Sequence, residues 1–97
     1  MMKQIIFGWP GREEMTRQLI LKCKAEPGLW EYRSFPDGES YIRIDSEVAD
    51  KQVVVLCSMD HPDPKLIPLF LLCKTIRELD AKSITLLAPY LPYLRQD

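Results

Sequence analysis

The chain is 97 residues long, with 13 Lys and Arg set against 14 Asp and Glu, for a formal net charge of −1. That balance excludes proteins that take their affinity from neutralising the phosphates of duplex nucleic acid or of an anionic membrane, which carry a basic excess or a basic block. At 46% hydrophobic and 28% charged, the composition is that of a soluble globular domain with material for one modest core and not two.

In chain order, Gln4-Ile5-Ile6-Phe7 is a short apolar run stopped by Gly8, and Pro10-Gly11 is a turn signal, so the spacing predicts a strand and then a turn. Over residues 12–25 the apolar Met15, Leu19 and Cys23 recur at helical spacing with Ile20 alongside, and charged residues take the other positions. Acidic residues in the first turn and lysines in the last suit the helix dipole. Glu26-Pro27-Gly28 is expected to stop this helix. Residues 29–34 and 41–44 alternate, and Phe35-Pro36-Asp37-Gly38-Glu39-Ser40 joins them, which predicts a hairpin. Residues 53–57 form the continuous β-branched run of a strand buried on both faces of a parallel sheet.

Residues 58–64 are expected to be a loop. Leu66, Leu69, Phe70, Cys73, Ile76 and Leu79 then follow helical spacing, and Leu71 and Leu72 widen the stripe enough to predict a second buried side. Pro68 fits near the first turn of that helix. Residues 84–88 read as one more buried strand. The order strand, helix, hairpin, strand, helix, strand predicts an α/β fold in three layers, with a mostly parallel sheet, flanking helices and one hairpin. In such sheets ligands bind outside the carboxyl ends of the strands, so the loops after Cys57 and Ala88 are the first places to look for a site.

The longest apolar run, residues 66–73, is broken by Pro68 and falls far short of the roughly 20 residues that span a membrane. With no leader pattern at its start, the chain is expected to be cytoplasmic. Cys23, Cys57 and Cys73 are odd in number, widely spaced and set in apolar segments, so they are expected to be buried free thiols.

Four segments carry groups with possible chemistry. Phe35-Pro36-Asp37-Gly38-Glu39 holds an aromatic face and two carboxylates, which suit a flat heterocycle and its amine or sugar hydroxyls. On turn chemistry alone, the same residues are a good turn beside a core plug. In the tail, Arg95 can pair with a phosphate and Gln96 can read a base or sugar edge, although a charged terminus on the surface explains both. His61 lies near Asp60 and Asp63, a weak metal pattern that turn and helix-cap roles also explain, and Ser58 has no second histidine for a triad. Gly8-Trp9-Pro10-Gly11-Arg12 follows a strand but lacks the spacing of a phosphate-binding loop.

Two of these segments together resemble a family. Arg33-Ser34-Phe35-Pro36-Asp37-Gly38-Glu39-Ser40 is similar to the F-x-D-G-E signature of ribose-phosphate pyrophosphokinases, the phosphoribosyl pyrophosphate synthetases. Pro89-Tyr90-Leu91-Pro92-Tyr93-Leu94-Arg95-Gln96-Asp97 is similar to their P-Y-x-x-Y-x-R-Q-D segment, in the same order and at a matching separation. The resemblance covers essentially the whole chain. It implies a phosphoribosyltransferase-like fold and a reaction in which ATP gives its diphosphoryl group to the 1-hydroxyl of ribose 5-phosphate, with Mg2+ required.

It also implies that Phe35, Asp37, Gly38 and Glu39 form part of an ATP site completed by a neighbouring subunit, that Arg95 and Gln96 contact ATP bound to their own, and that the protein is a homo-oligomer. The family's metal ligands, catalytic loop and ribose-5-phosphate loop all lie beyond position 97. The chain is therefore expected to be an incomplete N-terminal domain, residues 1–97, with no catalytic residue or metal ligand of its own and no synthetase activity alone. A non-catalytic regulatory module that assembles with active subunits is the alternative; an ordinary phosphoribosyltransferase is a weaker one.

The chain departs from the family at three places. Val48-Ala49-Asp50 stands where Val-Arg-Gly is common, which removes an arginine of a regulatory anion site; Trp9 stands where asparagine is common; and His61-Pro62-Asp63-Pro64-Lys65 replaces the usual Asn-Asp stretch.

Overall fold

The structure, a computed structural model, describes residues 3–89. Strands β1 (Gln4–Gly8), β2 (Glu26–Pro27), β5 (Gln52–Leu56) and β6 (Ser83–Leu87) form a four-stranded sheet in the order β2-β1-β5-β6, and β3 (Trp30–Ser34) pairs with β4 (Ser40–Ile44) as a separate antiparallel hairpin. All three pairings in the larger sheet are parallel. Helix α1 (Glu13–Cys23) follows β1, and α2 (Asp63–Glu78) connects β5 to β6.

The sheet divides the molecule into layers because alternate side chains leave a strand on opposite faces. On one face Ile5, Phe7, Val53, Val55 and Cys57 pack with Leu69, Leu72 and Ile76 of α2, and the inward residues of the hairpin, Trp30, Tyr32, Ile42 and Ile44, complete that core. On the other face Ile6 and Leu56 are fully buried, and Ile6 lines a groove with Thr16 and Ile20 of α1. Gly8 is what lets α1 approach so closely, since Thr16 occupies the space its missing side chain would fill. This is the three-layer α/β architecture that the pattern predicts. Among the described residues no helix is long and apolar enough to cross a membrane.

Several local expectations are corrected. Residues 26 and 27 do more than end a helix: they pair with Ile5 and Ile6 as a short edge strand. The Met15-Leu19-Cys23 stripe is not the packed face of α1. Met15 and Cys23 are exposed, and the half-buried positions are Thr16, Leu19 and Ile20, because α1 lies on one face of β1 and β2 and buries only the line nearest β1. Cys23 is thus not a buried thiol; Cys57 is buried, Cys73 half-buried, and all three are free.

Helix α2 begins at Asp63, inside the expected loop, with Pro64 near its start, so Pro68 sits in the helix interior and not in its first turn. It is buried there, where the missing N–H interrupts one helical bond. The expected second buried side of α2 is only partly realised: Leu71 and Cys73 are half-buried, but Phe70 is 63% exposed. Nor is β6 a buried strand. Among the described residues it pairs only with β5, and its Leu86 and Leu87 are exposed there.

The divergent Val48-Ala49-Asp50 has a clear backbone role. Asp50 takes a φ of 61°, a left-handed conformation that aspartate tolerates better than most residues.

Candidate functional site

The hairpin turn is built by its own hydrogen bonds. Beyond the Ser34–Ser40 pair, the Phe35 N–H donates to the Glu39 carbonyl at 2.7 Å, and the Gly38 N–H donates to the Phe35 carbonyl at 2.9 Å. Gly38 has a φ of 93°, which an L side chain rarely adopts. The Asp37 carboxylate accepts the Glu39 N–H at 3.0 Å, so it both stiffens the turn and keeps lone pairs for another donor.

That backbone holds Phe35 outward. The ring is 41% exposed, so it is not a core plug. It meets Tyr41 edge-on with centroids 5.9 Å apart. Arg33, the cross-strand partner of Tyr41, places its guanidinium carbon 4.7 Å from the Tyr41 ring centre and 5.8 Å from that of Phe35. Glu31 pairs with the same guanidinium at 3.3 Å. The tip therefore combines an exposed flat ring, a cation beside it and two carboxylates. Gly38 and Glu39 also line a cleft of about 490 Å³ against Pro64, Ile67 and Leu71 of α2.

A second polar cleft, of about 370 Å³, opens between the loops that follow β1 and β5. Arg12 Nη2 donates to the buried Ser58 hydroxyl at 3.2 Å and stands 4.0 Å from Asp60 Oδ2. Lys65, in the first turn of α2, donates to the Ser58 carbonyl at 2.6 Å and to Asp60 Oδ1 at 2.8 Å. The Lys65 and Ser58 donors hold the Asp60 carboxyl down to about 2.

The structure brings Phe35, Asp37, Gly38 and Glu39 together in one turn; Arg95 and Gln96 lie outside the described residues. His61 is exposed, and among the described residues no three His, Cys, Asp or Glu side chains are gathered as a metal would need. Arg33 and Tyr41 were not singled out from the sequence as site residues, although hairpin register sets them opposite one another. The Arg12, Ser58 and Lys65 cluster was missed for a different reason: its members come from two loops joined only by the parallel pairing of β1 with β5.

Residues 4–97 match the family model described as the N-terminal domain of ribose phosphate pyrophosphokinase. The ribose-phosphate pyrophosphokinase of Saccharolobus solfataricus is 52% identical over 68 residues, 69% of this chain and 23% of that protein. That of Methanobrevibacter smithii is 40% identical over 94 residues, 96% of this chain and 31% of that protein. Among solved structures, phosphoribosylpyrophosphate synthetase from Mycobacterium smegmatis superposes with a TM-score of 0.86 at 26% identity, over 98% of this chain and 32% of that one. A purine phosphoribosyltransferase from Pyrococcus horikoshii shares the fold, with a TM-score of 0.68 at 16% identity, over 95% of this chain and 65% of that one. The chain spans 23% and 31% of the length of the two curated relatives.

Proposed function

The chain belongs to the ribose-phosphate pyrophosphokinase family, as its N-terminal domain, and from that premise we propose that it supplies the ATP-gripping part of a ribose-phosphate diphosphokinase. In that reaction ribose 5-phosphate attacks the β-phosphorus of ATP through its 1-hydroxyl, the bond to the α-phosphate oxygen breaks, and AMP leaves. The protein's contribution to such a transfer is positioning and charge neutralisation.

The observation that carries the reading is the hairpin tip. Three hydrogen bonds and the left-handed Gly38 hold an exposed Phe35 ring beside the Asp37 and Glu39 carboxylates. Phe35 stacks on adenine, while Asp37 and Glu39 accept hydrogen bonds from the exocyclic amine or the ribose hydroxyls. Arg33 lies against Tyr41 and close to Phe35, which steadies the aromatic shelf.

A tip this exposed is suited to a nucleotide held mainly by another subunit, so the homo-oligomer completes the site. Arg95 and Gln96 contact the ATP of their own subunit. When bound, Mg2+ would supply neutralisation of the phosphates' charge; its ligands and the ribose-5-phosphate site are expected from the remainder of the family's length. The two curated relatives are themselves named ribose-phosphate pyrophosphokinase, and no observation favours the regulatory-module alternative.

The test is calorimetric titration of the chain with Mg-ATP, repeated on Phe35→Ala and Arg95→Ala. Loss of one stacked base contact, worth about 1–3 kcal/mol, is expected to weaken binding about fivefold or more in Phe35→Ala. Equal affinity in all three proteins, or no binding by the unmodified chain, overturns the reading. The chain alone is expected to form no phosphoribosyl pyrophosphate.

A further inference from the structure

The strand order β2-β1-β5-β6 contains a reversal. From β1 the chain moves outward to β2; on returning it lays β5 on the other side of β1 and continues outward to β6. The loops after β1 and β5 therefore diverge to opposite faces and leave a crevice between them, at the carboxyl ends of the two central strands. Open parallel sheets bind ligands at such a switch point. The Arg12 cleft lies there, lined by the loop after β1 and the loop after β5.

Its chemistry is that of an anion site. Arg12 and Lys65 arrive from different elements and converge on the two oxygens of one carboxylate, Asp60 Oδ2 and Oδ1. The buried Ser58 presents its hydroxyl to Arg12 and its carbonyl to Lys65. Asp60 therefore acts as an internal stand-in for an oxyanion, whose charged form the Lys65 and Ser58 donors favour. The stand-in is incomplete: Arg12 stands at the outer limit of an ion pair with it, and the planar guanidinium offers more N–H donors than the Ser58 contact uses.

We infer that the switch-point crevice between β1 and β5 binds a phosphoryl group or a comparable tetrahedral oxyanion, held by Arg12, Lys65 and Ser58, at a site separate from the hairpin tip. The incoming oxygens displace Asp60 from Arg12 first and then share Lys65 with it. At about 370 Å³ the cleft has room for more than a bare phosphate, so the phosphoryl group is either free or carried on a sugar. This inference goes beyond the nucleotide reading and does not depend on it.

Amide NMR spectra of the full chain, titrated separately with inorganic phosphate and ribose 5-phosphate, test the site. Shifts are expected to concentrate at Gly11, Arg12, Ser58 and Lys65. Arg12→Gln, a change in a loop, is expected to weaken binding about tenfold through the lost charge-assisted contacts. Asp60→Asn removes the competing carboxylate and is expected to bind several-fold tighter. Phe35→Ala is expected to leave the phosphate shifts unchanged, which separates this site from the nucleotide reading. Tighter binding of ribose 5-phosphate assigns the site to a sugar phosphate, and tighter binding of inorganic phosphate assigns it to the free ion. Absence of shifts at these amides at millimolar ligand, or shifts that persist in Arg12→Gln with its spectrum otherwise intact, overturns the inference.

Discussion

Substituting Gly8 by alanine tests how α1 is seated on the sheet. A methyl group at Gly8 would overlap the Thr16 hydroxyl outright and come within 2.6 Å of its Cγ2 and 2.8 Å of its Cβ. Gly8 lies outside the left-handed region, so the backbone tolerates alanine and the cost is one of space. Overpacking of this kind costs about 1–3 kcal/mol, and the stiffer unfolded chain returns about 0.4–1 kcal/mol of it. Because three atoms of one side chain stand in the way, the net loss is expected near the top of that difference, about 2 kcal/mol. For a domain of this size that lowers Tm by roughly 10 °C.

Urea denaturation is readily followed by fluorescence, since Trp9 and Trp30 lie 5.2 Å apart beside the end of β1 and report its packing. The decisive measurement is the same substitution in a Thr16→Ala background. That change removes Oγ1 and Cγ2 from the clash, along with the Thr16 hydroxyl bond to the Arg12 carbonyl. Gly8→Ala should then cost about 1 kcal/mol or less. An equal cost in both backgrounds would refute the claim that Thr16 occupies the Gly8 space.

Two further outcomes follow from the electrostatics and the burial. The Asp60 carboxyl is held at about 2 by Lys65 and Ser58, and the Glu14 carboxyl at about 2 by Arg17 and Gln18. The unfolded chain therefore binds more protons in acid; the stabilisation is present above the ordinary carboxylate range and is lost as pH falls through it toward about 2. The denaturation midpoint should fall between about pH 6 and about pH 3, and less so in an Asp60→Asn, Glu14→Gln double variant; identical slopes would contradict this assignment. Thiol labelling read by mass spectrometry should modify exposed Cys23 first, then half-buried Cys73, and Cys57 only on unfolding, since burial also pushes the Cys57 thiol up. Equal labelling rates at Cys23 and Cys57 would show that Cys57 is not enclosed.

Local chemistry was readable along the chain wherever neighbouring residues decide the outcome. The hairpin followed from two alternating runs around Pro36-Asp37-Gly38, because turn geometry needs a residue free to take positive φ, and Gly38 takes it. The buried β5 followed from its unbroken β-branched run. The Phe35, Asp37, Gly38 and Glu39 cluster was legible for the same reason: all four sit within one turn, so no long-range contact is needed to assemble them.

What the sequence by itself determined is thus the type of each element except the short edge strand β2, together with the turn that carries the proposed nucleotide contacts, all of them products of periods of 2 and 3.6 residues and of single-residue φ preferences. Only the tertiary structure decided which apolar segments are covered. β6 is as apolar as a central strand, yet among the described residues it acquires a neighbour on one side and stays exposed, because burial depends on how many neighbours a strand acquires. Met15 and Cys23 share helical spacing with Leu19, yet they face solvent, because the packed line of α1 is set by where Gly8 allows close approach. The switch-point cleft belongs to the same class. Arg12 and Ser58 lie 46 positions apart in sequence, and only the parallel register of β1 with β5 brings the guanidinium to the hydroxyl.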